Sequence, residues 1–308
     1  MTNSRLLAYG MLLITAAIWG IATPIIKFTL NDFPFIIFLT YRFFLTSLVL
    51  LPIYVFTHKG KNFLAALSRR EVMTIIAVGL LGSSINLGLL FWGLEHTTAI
   101  FASLLSDISP IFVALASIVF LKERISSLEK VGLGIAFLGA SILTFSPSFA
   151  DGTSSVFGNL LILLANFAWV GYVILAKAEL RERTSPLFLI TTSFILGFIT
   201  MLPLALWQTG SIAGLTNFIA QQPLASHMGV WYMALISGAL AYWLFQEGQR
   251  RIEASQASIF IYLSPIFAIP LSVVWLGEKI TLPIVIGATV TIIGVVIAEY
   301  KKRKKVKS

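Results

Sequence analysis

The chain has 308 residues, of which 57% are hydrophobic and only 11% charged, with a mean hydropathy of +0.92. Soluble domains carry about 25% charged residues. No soluble core of this length buries so much apolar surface, so the composition excludes a soluble catalytic or DNA-binding domain and makes lipid the solvent. The formal charge is +9, six units of it from basic residues at 301–307, and cysteine is absent, which excludes disulfides and thiol catalysis.

A helix crosses a bilayer in about 20 apolar residues. Ten such stretches are predicted in chain order, at 8–28, 34–56, 71–93, 97–121, 127–147, 157–176, 186–207, 228–248, 254–275 and 281–299. Arg5 precedes the first stretch like the start of a signal peptide, but no small-residue cleavage pattern closes it, so it reads as a span. The breaks carry turn chemistry: Asn31-Asp32-Phe33-Pro34, Ser146-Pro147, Thr184-Ser185-Pro186 and Gln221-Gln222-Pro223. Ser126 and Glu129 form a capping-box pattern at the start of the fifth span.

With the N-terminus inside, the cytoplasmic segments hold 19 of the 22 Lys and Arg residues. Lys279 falls in an outer loop, while Lys27 and Arg42 lie within spans. This asymmetry predicts ten spans with both termini cytoplasmic, in a cell inner (plasma) membrane. The basic tail, 300–308, is expected to lie on anionic lipid headgroups rather than on nucleic acid.

The chain also repeats itself. Ser109-Pro110-Ile111-Phe112 returns as Ser264-Pro265-Ile266-Phe267, an offset of 155. The same offset pairs Ser103 with Ser258, Glu123 with Glu278, Gly132 with Gly287 and Gly139 with Gly294; an offset of 150 pairs Trp19 with Trp169 and Lys27 with Lys177. Spans 1–5 (1–147) thus return as spans 6–10 (157–299), and because five is odd the second bundle is inverted. An inverted-topology repeat places a binding site near the midplane, where the halves meet.

The doubled pattern of S-P-I-F, a long apolar stretch, E-[RK]-I and two glycines seven residues apart resembles the EamA-type repeat of the ten-helix drug/metabolite transporter superfamily. Trp19-Gly20 and Arg42-Phe43 resemble it too, and the likeness covers residues 8–299. The resemblance implies a secondary carrier, often an exporter of amino acids or related metabolites. Asp107 and Glu247 depart from the family pattern.

Ionisable groups within spans are functional candidates. At 1.5 Å per residue, Arg42 lies about 12 Å and Asp107 about 15 Å below the outer end of its span. The two are expected to face each other or one cavity. Two roles stay open for them: gripping substrate, with Arg42 on a carboxylate, or a permanent structural ion pair. Ser103, Ser106, Asp107 and Pro110 share one helical face that should point into the bundle. Pro110 and Pro265 remove the helical partners of the Ser106 and Ile261 carbonyls, which makes each a hinge or a static kink.

Trp19, Trp169, Tyr172, Tyr242 and Tyr262 lie away from the interfaces and either line a cavity or pack. Asn86 and Asn166 either bind substrate or bridge helices. Lys27 is expected to snorkel to the outer interface. Glu247 either couples protons or, as the favoured reading, pairs with Arg250 or Arg251 at the interface, and Glu123 and Glu278 are read as structural charges near helix N-termini.

The chain has no G-x-x-x-x-G-K-[ST] loop to hydrolyse ATP and no catalytic His/Asp/Glu cluster or serine triad. His58, His96 and His227 form no metal-ligand pattern, so no metal or cofactor is expected. The expected partners are a small-molecule substrate and membrane lipids, with proton coupling left open, and the protein is expected to be a monomer. The competing class is a membrane-embedded enzyme acting on a lipid or isoprenoid.

Overall fold

The computed structural model describes residues 3–57, 68–121, 127–145, 155–182, 184–252, 254, 257 and 260–300. The basic tail, Glu123, and the side chains of the Ser126–Glu129 capping box lie outside the described residues. Among the described residues all regular structure is helical. The helices are α1 (Asn3–Thr29), α2 (Phe35–Thr57), α3 (Arg69–Glu95), α4 (Ala99–Ser106), α5 (Ser109–Leu121), α6 (Ser127–Phe145), α7 (Val156–Glu182), α8 (Pro186–Thr209), α9 (Ile212–Ala220), α10 (Leu224–Arg251), α11 (Ser264–Leu276) and α12 (Leu282–Tyr300). Six of them, α1, α2, α3, α7, α8 and α10, are long and apolar enough to cross a membrane, and shorter apolar helices complete the set.

Local chemistry sets the ends. Ser68 and Glu71 form a reciprocal capping box at the start of α3. Ser185 caps α8, Pro186 occupies its first turn, and Gly210 at φ 75° ends it. Leu80–Ile85 within α3 and Tyr232–Leu240 within α10 adopt the wider π-helical winding, which concentrates at functional sites.

Helical segments fall on every predicted stretch, with three departures. The fourth stretch is not one kinked helix: it breaks at Asp107–Ile108, where Ile108 N–H bonds Leu105 O at 3.2 Å and Ile111 N–H bonds Ile108 O at 3.0 Å. The ninth, helical at Ala254 and Ala257, winds as a tight 3-10 turn at Phe260–Leu263 before α11. In both, the proline stands in the first turn of a new helix. Proline fits there because that position needs no N–H, so the chain restarts at it instead of bending through it. The third departure is α9, a short helix in a stretch expected to be a connection.

α6 packs along α12, α2 along α8, α3 along α7, and α1 along both α10 and α11; α7 also packs on α5. Close packing relies on missing side chains at chosen points. A Cβ on Gly20 would lie 2.4 Å from the Ser264 carbonyl oxygen, and one on Gly139 would lie 2.5 Å from the Thr291 nitrogen.

Two charged groups find their partners far along the chain. The Lys27 Nζ donates to Leu94 O at 2.8 Å, near the end of α3, with Glu278 and Glu95 close enough to act on it electrostatically. Glu278 caps not the helix that follows it but α4: its carboxylate accepts Ala99 N–H at 2.6 Å and Ile100 N–H at 2.9 Å. Burial raises the Glu278 carboxyl above the ordinary carboxylate value, and these amides act against the rise.

Candidate functional site

Between these helices lies a cavity with about 120 Å³ of room for water-sized molecules. Seven of the nine predicted binding residues line it: Trp19 from α1, Arg42 from α2, Asn86 from α3, Asp107 from the α4–α5 break, Asn166 and Trp169 from α7, and Tyr242 from α10. Tyr172 stands behind the wall, fully buried, with its hydroxyl accepting from the Gln246 amide and its ring 5.1 Å from that of Trp169. Tyr262 sits half-buried in the turn before α11 and is not among the lining residues.

The wall combines aromatic and polar side chains. Trp19 meets Trp169 edge to face at 5.4 Å and Tyr242 at 5.2 Å, and donates its indole N–H to Ser237 O at 3.2 Å. Arg42 is 1% exposed, with its guanidinium 5.5 Å from the Phe91 ring and 5.9 Å from the Phe194 ring. Such contacts attract a cation but supply no acceptor for its N–H groups. Asp107, 7% exposed, shares the cavity, and no ion pair within 4.0 Å joins the two. The expected common cavity is present and the direct pair is not.

Six buried polar atoms on lining side chains have no hydrogen-bond partner: Arg42 Nε and Nη1, Ser103 Oγ, Asp107 Oδ1, Trp169 Nε1 and Ser264 Oγ. Buried polar groups left unpaired are uncommon and costly. Their convergence on one cavity leaves its donors and acceptors open to whatever polar group or water fills it.

The asparagines bridge helices. Asn86 donates to Ala165 O and Asn166 to Leu105 O, each at 2.8 Å. Asn166 thereby holds the end of α4 where the helix breaks. Glu247 bonds Arg251 Nε at 3.1 Å, the interfacial pair expected of it. Sequence reasoning missed Phe91, Phe194, Ser237 and Ser264. For Ser264 the signal was present, since it is the repeat mate of Ser109, which also lines the cavity. The aromatic partners of Arg42 carried no signal, because phenylalanine is abundant throughout the chain.

The sequence pattern of the EamA-like transporter family matches residues 6–145 and again 156–300. The chain belongs to the EamA-like transporter family. Relatives within reach are named transporters. An uncharacterized transporter of Archaeoglobus fulgidus is 26% identical over 95% of this chain and 98% of the relative. The uncharacterized transporter YetK of Bacillus subtilis is 28% identical over 96% and 88%. A probable terminal-alkyne amino-acid exporter of Streptantibioticus cattleyicolor is 27% identical over 74% and 73%. A solved crystal structure, 16% identical, superposes with a TM-score of 0.60 over 96% of this chain and 98% of that one, a likeness of fold.

Proposed function

We propose that this EamA-family protein is a secondary transporter that moves small metabolites, amino acids or related amphipathic solutes, outward across the inner membrane by alternating access. Its cavity carries the reading: a buried guanidinium with open N–H groups beside a wall of indole and phenol rings suits a carboxylate joined to an apolar body. The exporter named among the relatives favours amino acids as cargo and efflux as direction.

Ten spans in two inverted bundles, 1–147 and 157–299, with both termini and the basic tail cytoplasmic, form the architecture of the proposal. Several features support it. The family pattern matches twice. Exchanging the halves turns the α1 contacts with α10 and α11 into the α7 contacts with α3 and α5, and leaves α2–α8 and α6–α12 unchanged. Lys27 bonds Leu94 O while its repeat mate Lys177 bonds Gln249 O, 155 residues on. Trp19 and Trp169, repeat mates as well, touch each other. The breaks before Pro110 and Pro265 are the hinges of the exchange, and Asp107, Asn86, Asn166, Tyr242, Tyr172 and Tyr262 serve as lining or supporting groups of the substrate path.

Counterflow in liposomes holding the purified protein tests this. Saturable exchange of a labelled amino acid against its unlabelled form is expected. Flux that never saturates, or that is absent for every metabolite class tried, overturns the carrier.

A further inference from the structure

Three of the unpartnered atoms on the cavity wall are oxygens. Ser103 Oγ lies one turn before the α4–α5 break, Asp107 Oδ1 at the break, and Ser264 Oγ at the start of α11. All three residues line the cavity, and each is more than nine-tenths buried, at 3%, 7% and 8% exposure. Both sides are held in place from behind. Asn166 fixes the Leu105 carbonyl at the end of α4, and Gly20 lets the Ser264 carbonyl press against α1.

A buried carboxylate without a counter-charge is costly, and Arg42 does not approach within ion-pairing distance. We infer that Asp107, Ser103 and Ser264 form a subsite for a compact monovalent cationic group, either the ammonium of a zwitterionic solute or a sodium ion. An ammonium brings three N–H donors, and the subsite offers three oxygens. A sodium ion is a hard cation that takes the same oxygen donors. Broken helices near the midplane are where carriers commonly coordinate such ions. Arg42, on the same cavity, then takes the anionic end of a solute whose cationic end sits at Asp107.

The inference rests on the transporter reading only for its physiological meaning, since binding tests it alone. Purified full-length protein is titrated by thermal shift with phenylalanine, with 3-phenylpropylamine, with 3-phenylpropionate, and with sodium chloride against choline chloride. A ligand stabilises the state it binds. Phenylalanine and the amine are expected to bind the wild type and to weaken at least tenfold in Asp107→Asn, with Ser264→Ala losing about threefold. Propionate, which lacks the ammonium, should bind both forms alike. A sodium-specific stabilisation that Asp107→Asn abolishes identifies the metal ion as the occupant instead. Equal responses of wild type and Asp107→Asn to every probe, or no response of the wild type to sodium or to either ammonium-bearing probe, overturns the subsite. Equal thermal-shift responses of the two forms with counterflow intact remove the subsite and leave the carrier. Absence of counterflow in the wild type removes the carrier and leaves the binding result standing.

Discussion

Arg42 and Asp107 share one cavity, 1% and 7% exposed, without an ion pair between them. Two opposite charges that were only mutual support would touch. Arg42→Gln is therefore expected to lower transport at least tenfold at equal expression, about the effect of losing one charged hydrogen bond to a ligand. Joining it with Asp107→Asn should not restore activity, because no pair is being repaired; recovery in the double variant would reinstate the structural pair. Glu247→Gln, which removes a partly exposed pair with Arg251, should leave flux within about twofold, as surface ion pairs contribute little.

Asn86 and Asn166 act as bridges from side chain to backbone carbonyl. Each alanine variant should lose about 0.5–1.5 kcal/mol of stability in detergent unfolding. Asn166→Ala should reduce transport more than Asn86→Ala, since its partner Leu105 adjoins the helix break. Equal flux in both would show that the break needs no outside anchor.

Gly20 and Gly10 on α1 make a matched pair. A methyl group on Gly20 meets the Ser264 carbonyl at 2.4 Å, whereas one on Gly10 meets nothing within 4 Å. Gly20→Ala should destabilise by about 1–3 kcal/mol as α11 is forced outward, and Gly10→Ala should stabilise by roughly 0.5–1 kcal/mol through helix propensity. Thermal unfolding of the two variants side by side decides it.

Glu278 ties the connector after α11 to the first turn of α4. Glu278→Ala leaves the Ala99 and Ile100 N–H groups without this acceptor and should lose about 1–3 kcal/mol. Glu278→Gln keeps one acceptor oxygen and should lose less. If alanine and glutamine behave alike in chemical unfolding, the cap contributes nothing.

The solvent class was legible in the sequence because hydropathy is a local sum: each stretch is apolar whatever its neighbours do. That Arg42, Asp107, Trp19 and Trp169 would share a cavity was legible too, since charged and ring-bearing residues inside apolar stretches stand out from their neighbours. Counting fails where the backbone stops being a regular helix. Pro110 and Pro265 read as kinks in continuous spans, and the chain used each to begin a new segment. The partners of Lys27 and Glu278 were illegible for a related reason. Leu94 and the α4 amides are 67 and about 179 residues away in the chain, beyond any spacing rule.

The sequence by itself determined that this is a helical membrane protein of the EamA type with its candidate charges buried in spans, because burial in lipid is written residue by residue in hydropathy and repeat spacing. The tertiary structure alone decided that Arg42 and Asp107 line one cavity without an ion pair, that the Arg42 guanidinium lies beside the Phe91 and Phe194 rings, and that Ser264 lines the same cavity. Those facts depend on how helices rotate and press together, and rotation is set by packing against partners far along the chain.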